Sequence, residues 1–268
     1  MINKEHIRQF QKDGCVILDR ILNEEQIEKA MAAMARVYAG EFTNDRRPGE
    51  LRGPMRDFDP GHVKHYVHAR FLDQDFWDIA TDPGLGKMVA DLLQTESVSL
   101  VEDQLLEKPA GGGSFAMHQD YSYWGFSDRP QMLTLWITLT ESTQEMGPIE
   151  FARGSHKWPL VPPPGSTAPG DDDQLMDAVR RARPDESEIE WMPVIVPAGG
   201  GSFHHGMTMH GSRASSSERN RYAISLHYAA AECRVTDSSL PWHPFIWEGV
   251  RPGDRPTSPF MPVVYNAD

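Results

Sequence analysis

From Ser97 onward the chain consists of short apolar segments separated by glycine- and proline-containing turns, and this pattern constrains the fold most. The segments predict strands at 97–108, 131–140, 147–152, 188–196, 201–205 and 221–232. Several short strands joined by such turns are typical of two packed β-sheets, because each strand buries one of its faces. We therefore expect a mainly β protein with a double-sheet core over about residues 96–232.

The residues before this core, about 1–95, predict helices that flank it. Helices are predicted at 4–12, 24–38, 72–80 and 83–93, and a short apolar strand at 15–18. Asn23 is an N-cap whose capping-box partner is Gln26, so the second helix begins at Glu24. The stretch 41–70 is expected to be loop, since it contains several proline and glycine turn signals, at 46–49 and 59–61 among them.

One domain accounts for all 268 residues, since no internal repeat or second domain is visible. Residues 157–187 form the main variable loop, which contains Pro162-Pro163-Pro164-Gly165 and Asp171-Asp172-Asp173. A loop of this length is either a lid or an exposed surface segment. Residues 233–268 are expected to be a C-terminal extension.

Charge and cysteine content exclude several classes of protein. The net charge of −13 argues against a nucleic-acid partner, whose phosphates require a basic surface. No apolar run is long enough to cross a bilayer, and the N-terminus lacks the pattern of a secretory signal. Two cysteines, Cys15 and Cys233, fit a reducing compartment, so we expect a cytoplasmic protein. The oligomeric state is not indicated.

The triplet His118-Gln119-Asp120, with His210 far downstream, points to a metal centre. Two imidazoles and one carboxylate are the ligand set of non-haem Fe(II) centres that keep coordination positions open. On an extended strand, residues two apart project to the same side, so His118 and Asp120 can reach one metal ion. A third ligand from a distant part of the sequence would complete the three-residue ligand set on one face of the metal ion.

Arg221 opens a segment of alternating character. On a strand, Arg221, Ala223, Ser225 and His227 would share one face, opposite four apolar or aromatic side chains. A buried arginine needs a partner, and an anionic ligand would supply one, because a guanidinium matches a carboxylate with two parallel hydrogen bonds. The alternative is an arginine paired with a protein carboxylate on the surface.

Several segments follow one another in an order typical of a known enzyme family. They are Lys108-Pro109-Ala110-Gly111-Gly112, His118-Gln119-Asp120, Tyr123-Trp124, Leu135-Trp136-Ile137-Thr138-Leu139, Met146-Gly147-Pro148-Ile149-Glu150-Phe151, Gly154-Ser155-His156-Lys157, His210-Gly211-Ser212 and Arg221. In this combination, roughly from residue 5 to residue 230, the chain resembles the phytanoyl-CoA dioxygenase family of Fe(II)/2-oxoglutarate-dependent oxygenases.

This resemblance implies a double-stranded β-helix, the jelly-roll or cupin-like core, with helices packed outside it. It implies Fe(II), 2-oxoglutarate and O2, with conversion of the co-substrate to succinate and CO2 and oxidation of a substrate C–H bond. Hydroxylation is the expected outcome, while desaturation, epimerisation and cyclisation stay open. Related halogenases replace the carboxylate ligand by a small residue, so Asp120 favours oxygenation.

The resemblance also implies which residues hold the metal. His118, Asp120 and His210 are the expected Fe(II) ligands. His204 and His205 compete for the third position, but neither is followed by Gly-Ser or by an arginine eleven residues later. Of these two histidines, one is expected to face inward and the other to be exposed.

The co-substrate contacts follow in the same way. Arg221 is expected to bind the far carboxylate of 2-oxoglutarate. Ser212 and Trp136 match family positions that touch the co-substrate, although core packing would also explain Trp136. Gln104 and Lys108 lie on the strand before the first ligand, where the family often has polar contacts.

The substrate contacts are indicated less sharply. They are expected among Tyr66, His68, Tyr121, Tyr123, Trp124 and His205. For each of them, packing in the core is the competing explanation.

Two other functions fit part of the pattern. One is a metal-dependent isomerase or hydrolase without redox chemistry, which would have no use for Arg221. The other is a binding protein without activity, which would be expected to lose a ligand. We expect a small metabolite or natural-product intermediate as substrate, since a CoA thioester would favour a basic entrance that the sequence does not show.

Overall fold

The structure of the protein is a computed structural model. It describes residues 1–44, 61–165, 167–168, 170–183, 189–236 and 244–267. The turn signals at 46–49 and 59–60 lie outside the described residues.

Five α-helices and eleven strands occur in the described residues. In chain order they are α1 Lys4–Asp13, β1 Cys15–Leu18, α2 Glu24–Ala39, β2 Lys64–Val67, α3 Gln74–Ala80, α4 Pro83–Leu93, β3 Ser97–Lys108, β4 Phe115–His118, β5 Met132–Thr138, β6 Ile149–Ala152, α5 Asp172–Ala182, β7 Trp191–Pro193, β8 Gly201–His205, β9 His210–Ser212, β10 Arg221–Ala230 and β11 Val263–Asn266.

The strands form two antiparallel sheets. The larger sheet has the order β1-β8-β5-β10-β3-β11, and β2 also pairs with β3. The smaller sheet has the order β4-β9-β6-β7. Apolar side chains from both sheets meet in one buried cluster, with Trp136 and Ala223 from the larger sheet and Ile149 and Phe151 from the smaller. The predicted jelly-roll core is confirmed, and its two sheets are open rather than closed.

The first four helices cover the outer face of the larger sheet. The main apolar core joins Phe10, Met34, Phe76 and Val89 from these helices to strand residues such as Leu226. Burying this helix face removes apolar surface from water, which is the main force that holds the helices on the sheet.

Strand β10 has the two faces that the sequence predicted. Ile224, Leu226 and Tyr228 point into the core beneath the helices. Arg221 and His227 point the other way, into a cavity between the sheets. The strand therefore separates the structural core from the candidate site.

Local capping signals located the helix ends well. The Asn23 side chain accepts a hydrogen bond from the Gln26 amide, and the Gln26 side chain accepts one from the Asn23 amide. Gly40 ends this helix in the left-handed region at φ 76°, where a residue without a Cβ is least strained.

Two segments expected to be loop contain regular structure. β2 lies within 41–70 and pairs with β3, with Lys64 opposite Glu107 and Val67 opposite Gln104. This strand depends on a distant partner, so its own four residues carry little signal. Within 157–187, α5 begins at the N-cap Asp171.

The apolar spacing of α5 could have revealed it from the sequence. Leu175, Met176 and Val179 are buried on one face, at intervals that suit a helix. They pack against Met117 and Met209, which flank the metal-ligand positions. Whether the remainder of 157–187 acts as a lid stays a prediction.

The strand predicted at 188–196 is too long, and the strand in the C-terminal extension was not predicted. In the described part of this segment, 189–196, β7 ends at Pro193, because proline has no amide hydrogen for a sheet ladder, and Val196 forms an isolated bridge with Ser142. The C-terminal extension contains β11, which pairs with the start of β3. Among the described residues, no helix combines the length and apolar character that a membrane crossing requires.

Candidate metal centre and co-substrate cavity

A cavity of about 230 Å³ lies between the two sheets. One wall is the inner face of β3, where Glu102, Gln104, Leu106 and Lys108 alternate with outward residues. Other walls come from β5 and β10 and from the ends of β4 and β9. The cavity therefore collects polar groups from strands that are distant in sequence.

His118, Asp120 and His210 meet at one point of the cavity. All three are buried, and their ligand atoms lie within 4.8 Å of one another. Asp120 Oδ1 is 3.3 Å from His118 Nε2 and 3.5 Å from His210 Nε2. This convergence follows from strand pairing, because His118 on β4 lies directly opposite His210 on β9.

The geometry at Asp120 differs from the expected strand. β4 ends at His118, and Asp120 begins a short 3-10 helix. Gln119 between them is still extended, with φ −112° and ψ 123°, so the two ligand side chains project to the same side. The alternation argument thus holds for the direction of the side chains, although the strand stops earlier.

Backbone carbonyls hold both imidazoles in a defined orientation. His118 Nδ1 lies 2.8 Å from the Ala116 carbonyl and His210 Nδ1 lies 2.9 Å from the Thr208 carbonyl. Since a carbonyl only accepts, each Nδ1 carries a proton, and in the neutral ring each Nε2 then presents its lone pair to the centre.

Asp120 is held by its second oxygen. Thr134 Oγ1 donates to Asp120 Oδ2 at 2.5 Å, and His204 Nε2 lies 3.2 Å from the same oxygen. Oδ1 is thereby directed at the two imidazoles. Hydrogen-bonded partners of this kind orient metal ligands and affect affinity.

Electrostatics prepare Asp120 and His210 for a cation. Burial alone would raise the pKa of Asp120, but the imidazoles of His210, His118 and His204 hold it well below its usual value. Burial lowers the pKa of His210 well below its usual value, so this ring is neutral. A carboxylate and neutral imidazoles are the protonation states that bind a divalent metal.

Two buried basic side chains mark the other end of the cavity. Arg221 and Lys108 lie opposite each other across β10 and β3. Arg221 Nη2 donates to the Gly147 carbonyl at 3.3 Å, while its buried Nε has no hydrogen-bond partner among the described residues. Lys108 Nζ donates to Ser212 Oγ at 2.9 Å and also to the Arg213 carbonyl.

These side chains form no ion pair within the described part of the chain, and their pKa values reflect it. Burial lowers the pKa of Arg221 to about 10. Burial and the nearby Arg221 charge lower the pKa of Lys108 to about 6, so its amine is charged at neutral pH only when an anion lies beside it. Trp136 closes the side of this end, with the guanidinium 5.1 Å from its ring centroid. An anion bound here would offset the cost of burying both groups.

The expected co-substrate residues thus lie along the cavity. Arg221, Lys108, Ser212 and Trp136 cluster at its cationic end. Gln104 lines the cavity further along β3, where its amide donates to Glu102 Oε1 at 2.7 Å.

Only two of the six expected substrate residues line the cavity, Tyr123 and Trp124. Tyr121 is half-buried and donates its hydroxyl hydrogen to the Ser127 carbonyl outside the cavity. Tyr66 points into the core beneath the helices, since its neighbours on β2, His65 and Val67, take the cavity face.

The other two expected contacts also lie elsewhere. His68 is buried beside Arg70 and between the rings of Phe71 and Phe245. His205 packs against Phe10 on the helical side, with ring centroids 6.2 Å apart. The expectation that Tyr66, His68, Tyr121 and His205 contact a cavity ligand is corrected by these positions.

Four cavity residues carry roles that sequence reasoning missed or left open. They are His204, Thr134, Glu102 and His227. Strand alternation around the His204-His205 pair allowed either residue to face inward, and the pairing of β8 with β5 directs His204 there. Thr134 carried no signal of its own, because its role depends on meeting Asp120.

His204 offers a test of this arrangement. We expect His204→Ala to weaken divalent-metal binding by about 10- to 100-fold, because Asp120 loses a partner that orients it. Isothermal titration with Fe(II) under anaerobic conditions would measure the change. His205→Ala is the matched control on the same strand, and equal affinities in the two variants would contradict the role of His204.

The family of the chain follows from comparison with known proteins. The family model described as phytanoyl-CoA dioxygenase (PhyH) matches residues 10–223. The chain belongs to the phytanoyl-CoA dioxygenase family. That match includes every residue of the metal-centre triplet, His210 and Arg221.

Relatives within the phytanoyl-CoA dioxygenase family are distant in sequence. Phytanoyl-CoA dioxygenase domain-containing protein 1 of Danio rerio is 25% identical over 189 residues, which cover 69% of this chain and 60% of that protein. The chain thus spans less than two thirds of that relative's length.

Solved structures share the fold along nearly the whole chain. The non-heme alpha-ketoglutarate-dependent carbocyclase SnoK from nogalamycin biosynthesis aligns with a TM-score of 0.77 and 22% identity, covering 98% of this chain and 96% of SnoK. The epimerase SnoN, in complex with Fe3+, alpha-ketoglutarate and nogalamycin RO, aligns with a TM-score of 0.72 and 21% identity, covering 97% and 98%.

Proposed function

We propose that this protein is an Fe(II)/2-oxoglutarate-dependent oxygenase that oxidises an unactivated C–H bond of a small molecule. The observation that carries the proposal is one cavity with a buried His118-Asp120-His210 cluster and, at its other end, the guanidinium of Arg221, whose Nε has no partner among the described residues. Family membership and the SnoN structure with Fe3+ and alpha-ketoglutarate support this cofactor assignment.

The residues fit both groups by their chemistry. Two neutral imidazoles and one carboxylate on one face suit Fe(II) and leave room for other ligands. The Arg221 guanidinium suits a carboxylate, and Lys108 adds a second cation beside it. A metal-dependent enzyme without a dicarboxylate co-substrate would bury these two cations at a cost and without a use.

Each part of the cavity has a separate task in this proposal. The iron and 2-oxoglutarate supply the oxidising chemistry when O2 is present, with release of succinate and CO2. Arg221 and Lys108 hold the far carboxylate, while Thr134 and His204 keep Asp120 turned toward the metal. The apolar wall that includes Leu106, Phe115 and Trp124 excludes water from the oxidising centre.

Hydroxylation is the proposed outcome, and the substrate is proposed to be a metabolite or natural-product intermediate. The structural neighbours include a carbocyclase and an epimerase, so the product has to be identified by mass spectrometry. Hydroxylation adds one oxygen atom to the substrate, ring closure removes two hydrogen atoms, and epimerisation leaves the mass unchanged. A cytoplasmic location stays a prediction.

The proposal is tested by anaerobic titration of the protein with Fe(II) and then 2-oxoglutarate. We expect a weak visible charge-transfer band that requires both additions, followed by succinate release when O2 is admitted. Iron binding without this band would overturn the co-substrate assignment and favour a metal enzyme without redox chemistry.

A further inference from the structure

Glu102 and His227 form an acceptor pair at the end of the cavity away from Arg221. They lie opposite each other across β3 and β10, and both line the cavity. Both are more than nine-tenths buried, with 4% and 5% of their surface exposed. Along the same strands the cationic end is six residues away, roughly 20 Å at 3.3 Å per residue. The two ends therefore suit different chemical groups.

Hydrogen bonding assigns the tautomer of His227. Thr134 has a single hydroxyl proton, which it donates to the carboxylate oxygen of Asp120 at 2.5 Å. Its oxygen therefore accepts from His227 Nδ1 at 2.8 Å, so in the neutral ring Nδ1 carries the proton. The opposite nitrogen, Nε2, is then a hydrogen-bond acceptor.

This acceptor has no donor within the described residues. His227 Nε2 is buried without a hydrogen-bond partner, and Glu102 Oε1 lies 3.7 Å away, beyond hydrogen-bond distance. Glu102 Oε1 accepts from the Gln104 amide at 2.7 Å, and burial raises the pKa of this carboxyl to about 7, so a donor from a ligand would stabilise its ionised form. A buried acceptor without a donor is costly, so a donor from a ligand would be strongly favoured here.

The surroundings show what else the ligand must present. The Trp124 ring stands edge-on to His227, with centroids 5.2 Å apart. Val67 and Leu106 add apolar surface to the same cavity. A ligand that fits has one hydrogen-bond donor on an otherwise apolar body.

We propose that Glu102 and His227 form a substrate subsite that binds a hydroxyl or ammonium group and orients the substrate at the metal centre. The inference rests on the proposed function, since it concerns the substrate of the same cavity. It narrows the substrate class to compounds that carry a hydroxyl or ammonium group as a hydrogen-bond donor. Compounds whose polar groups only accept hydrogen bonds are excluded.

Three six-membered-ring probes test the subsite without knowledge of the natural substrate. Cyclohexanol and cyclohexylammonium carry donors, whereas methoxycyclohexane only accepts. Their dissociation constants would be measured by ligand-observed NMR on the protein loaded with 2-oxoglutarate and with Zn(II), which keeps the complex diamagnetic. We expect at least one donor probe to bind about tenfold or more tightly than the ether, because only a donor satisfies the buried acceptors.

Variants connect this preference to Glu102. Glu102→Leu is expected to weaken the preferred donor probe by about tenfold and leave the ether within about twofold. Glu102→Gln distinguishes a hydroxyl donor from an ammonium donor. The neutral amide should still bind cyclohexanol, whereas cyclohexylammonium should lose affinity because it needs the negative charge of Glu102. Glu107→Gln is the matched control, since Glu107 is a buried carboxylate on β3 that pairs with Lys64 outside the cavity.

Three outcomes of the probe-binding measurements would contradict the subsite. Equal binding of donors and ether, unchanged donor binding in both Glu102 variants, or no binding of either donor probe would each do so. Failure of the proposed function is separate, because it is seen as absence of the Fe(II) and 2-oxoglutarate charge-transfer band in the unmodified protein. If that band forms and the probes show no preference, only the subsite is wrong.

Discussion

Replacing Asp120 by alanine is expected to lower Fe(II) affinity by more than about 100-fold and to abolish succinate formation, since even partners behind a ligand contribute 10- to 100-fold. Asp120 is the only anion in the His118-Asp120-His210 cluster of described residues. Without it, two neutral imidazoles face a divalent cation with no charge to balance. The same loss is expected for His210→Ala.

Anaerobic titration calorimetry with Fe(II) and a succinate assay would measure these effects. Asp128→Ala is a suitable control, because Asp128 lies near Asp120 in the chain but pairs with Arg129 outside the cavity. Circular dichroism should show the same fold in all variants, since the cluster is not part of the apolar core. Succinate formation at the normal rate in Asp120→Ala or His210→Ala would refute the ligand assignment.

Replacing Arg221 by alanine is expected to weaken 2-oxoglutarate binding by about 30- to 5000-fold, which corresponds to the roughly 2–5 kcal/mol lost when one partner of a buried charged pair is removed. Fe(II) affinity should change little, because Arg221 lies at the other end of the cavity from the metal cluster. Arg221→Lys should be intermediate, since lysine keeps the charge but loses the planar pair of donors.

The charge-transfer band, titrated against 2-oxoglutarate at saturating Fe(II), measures this affinity directly. Arg213→Ala is the matched control, because Arg213 is half-exposed and pairs with Glu150 rather than with a cavity ligand. The fold should tolerate Arg221→Ala, which removes a buried guanidinium whose Nε has no partner among the described residues. An unchanged band in Arg221→Ala would exclude this arginine as the anchor of the co-substrate.

Features encoded over short stretches of chain were predictable. The capping box at Asn23 located α2, and the alternation of β10 correctly separated Arg221 and His227 from Leu226 and Tyr228. Both signals depend on backbone geometry within a few residues, so they do not depend on how the remainder of the chain folds.

Features that depend on a distant partner were not predictable. β2 exists because β3 lies beside it, and the choice of His204 over His205 depends on how β8 pairs with β5. Tyr66 was expected at the substrate and lies in the core for the same reason. A register shift of one residue would reverse every such assignment.

The sequence by itself determined the strand-rich core, the flanking helices, the set of metal-ligand types and the arginine eleven residues after His210. Tertiary structure alone decided that Thr134 and His204 orient Asp120 and that Glu102 meets His227. The physical reason is that these contacts join strands far apart in the chain. Their geometry is set by sheet pairing, which no local pattern of residues records.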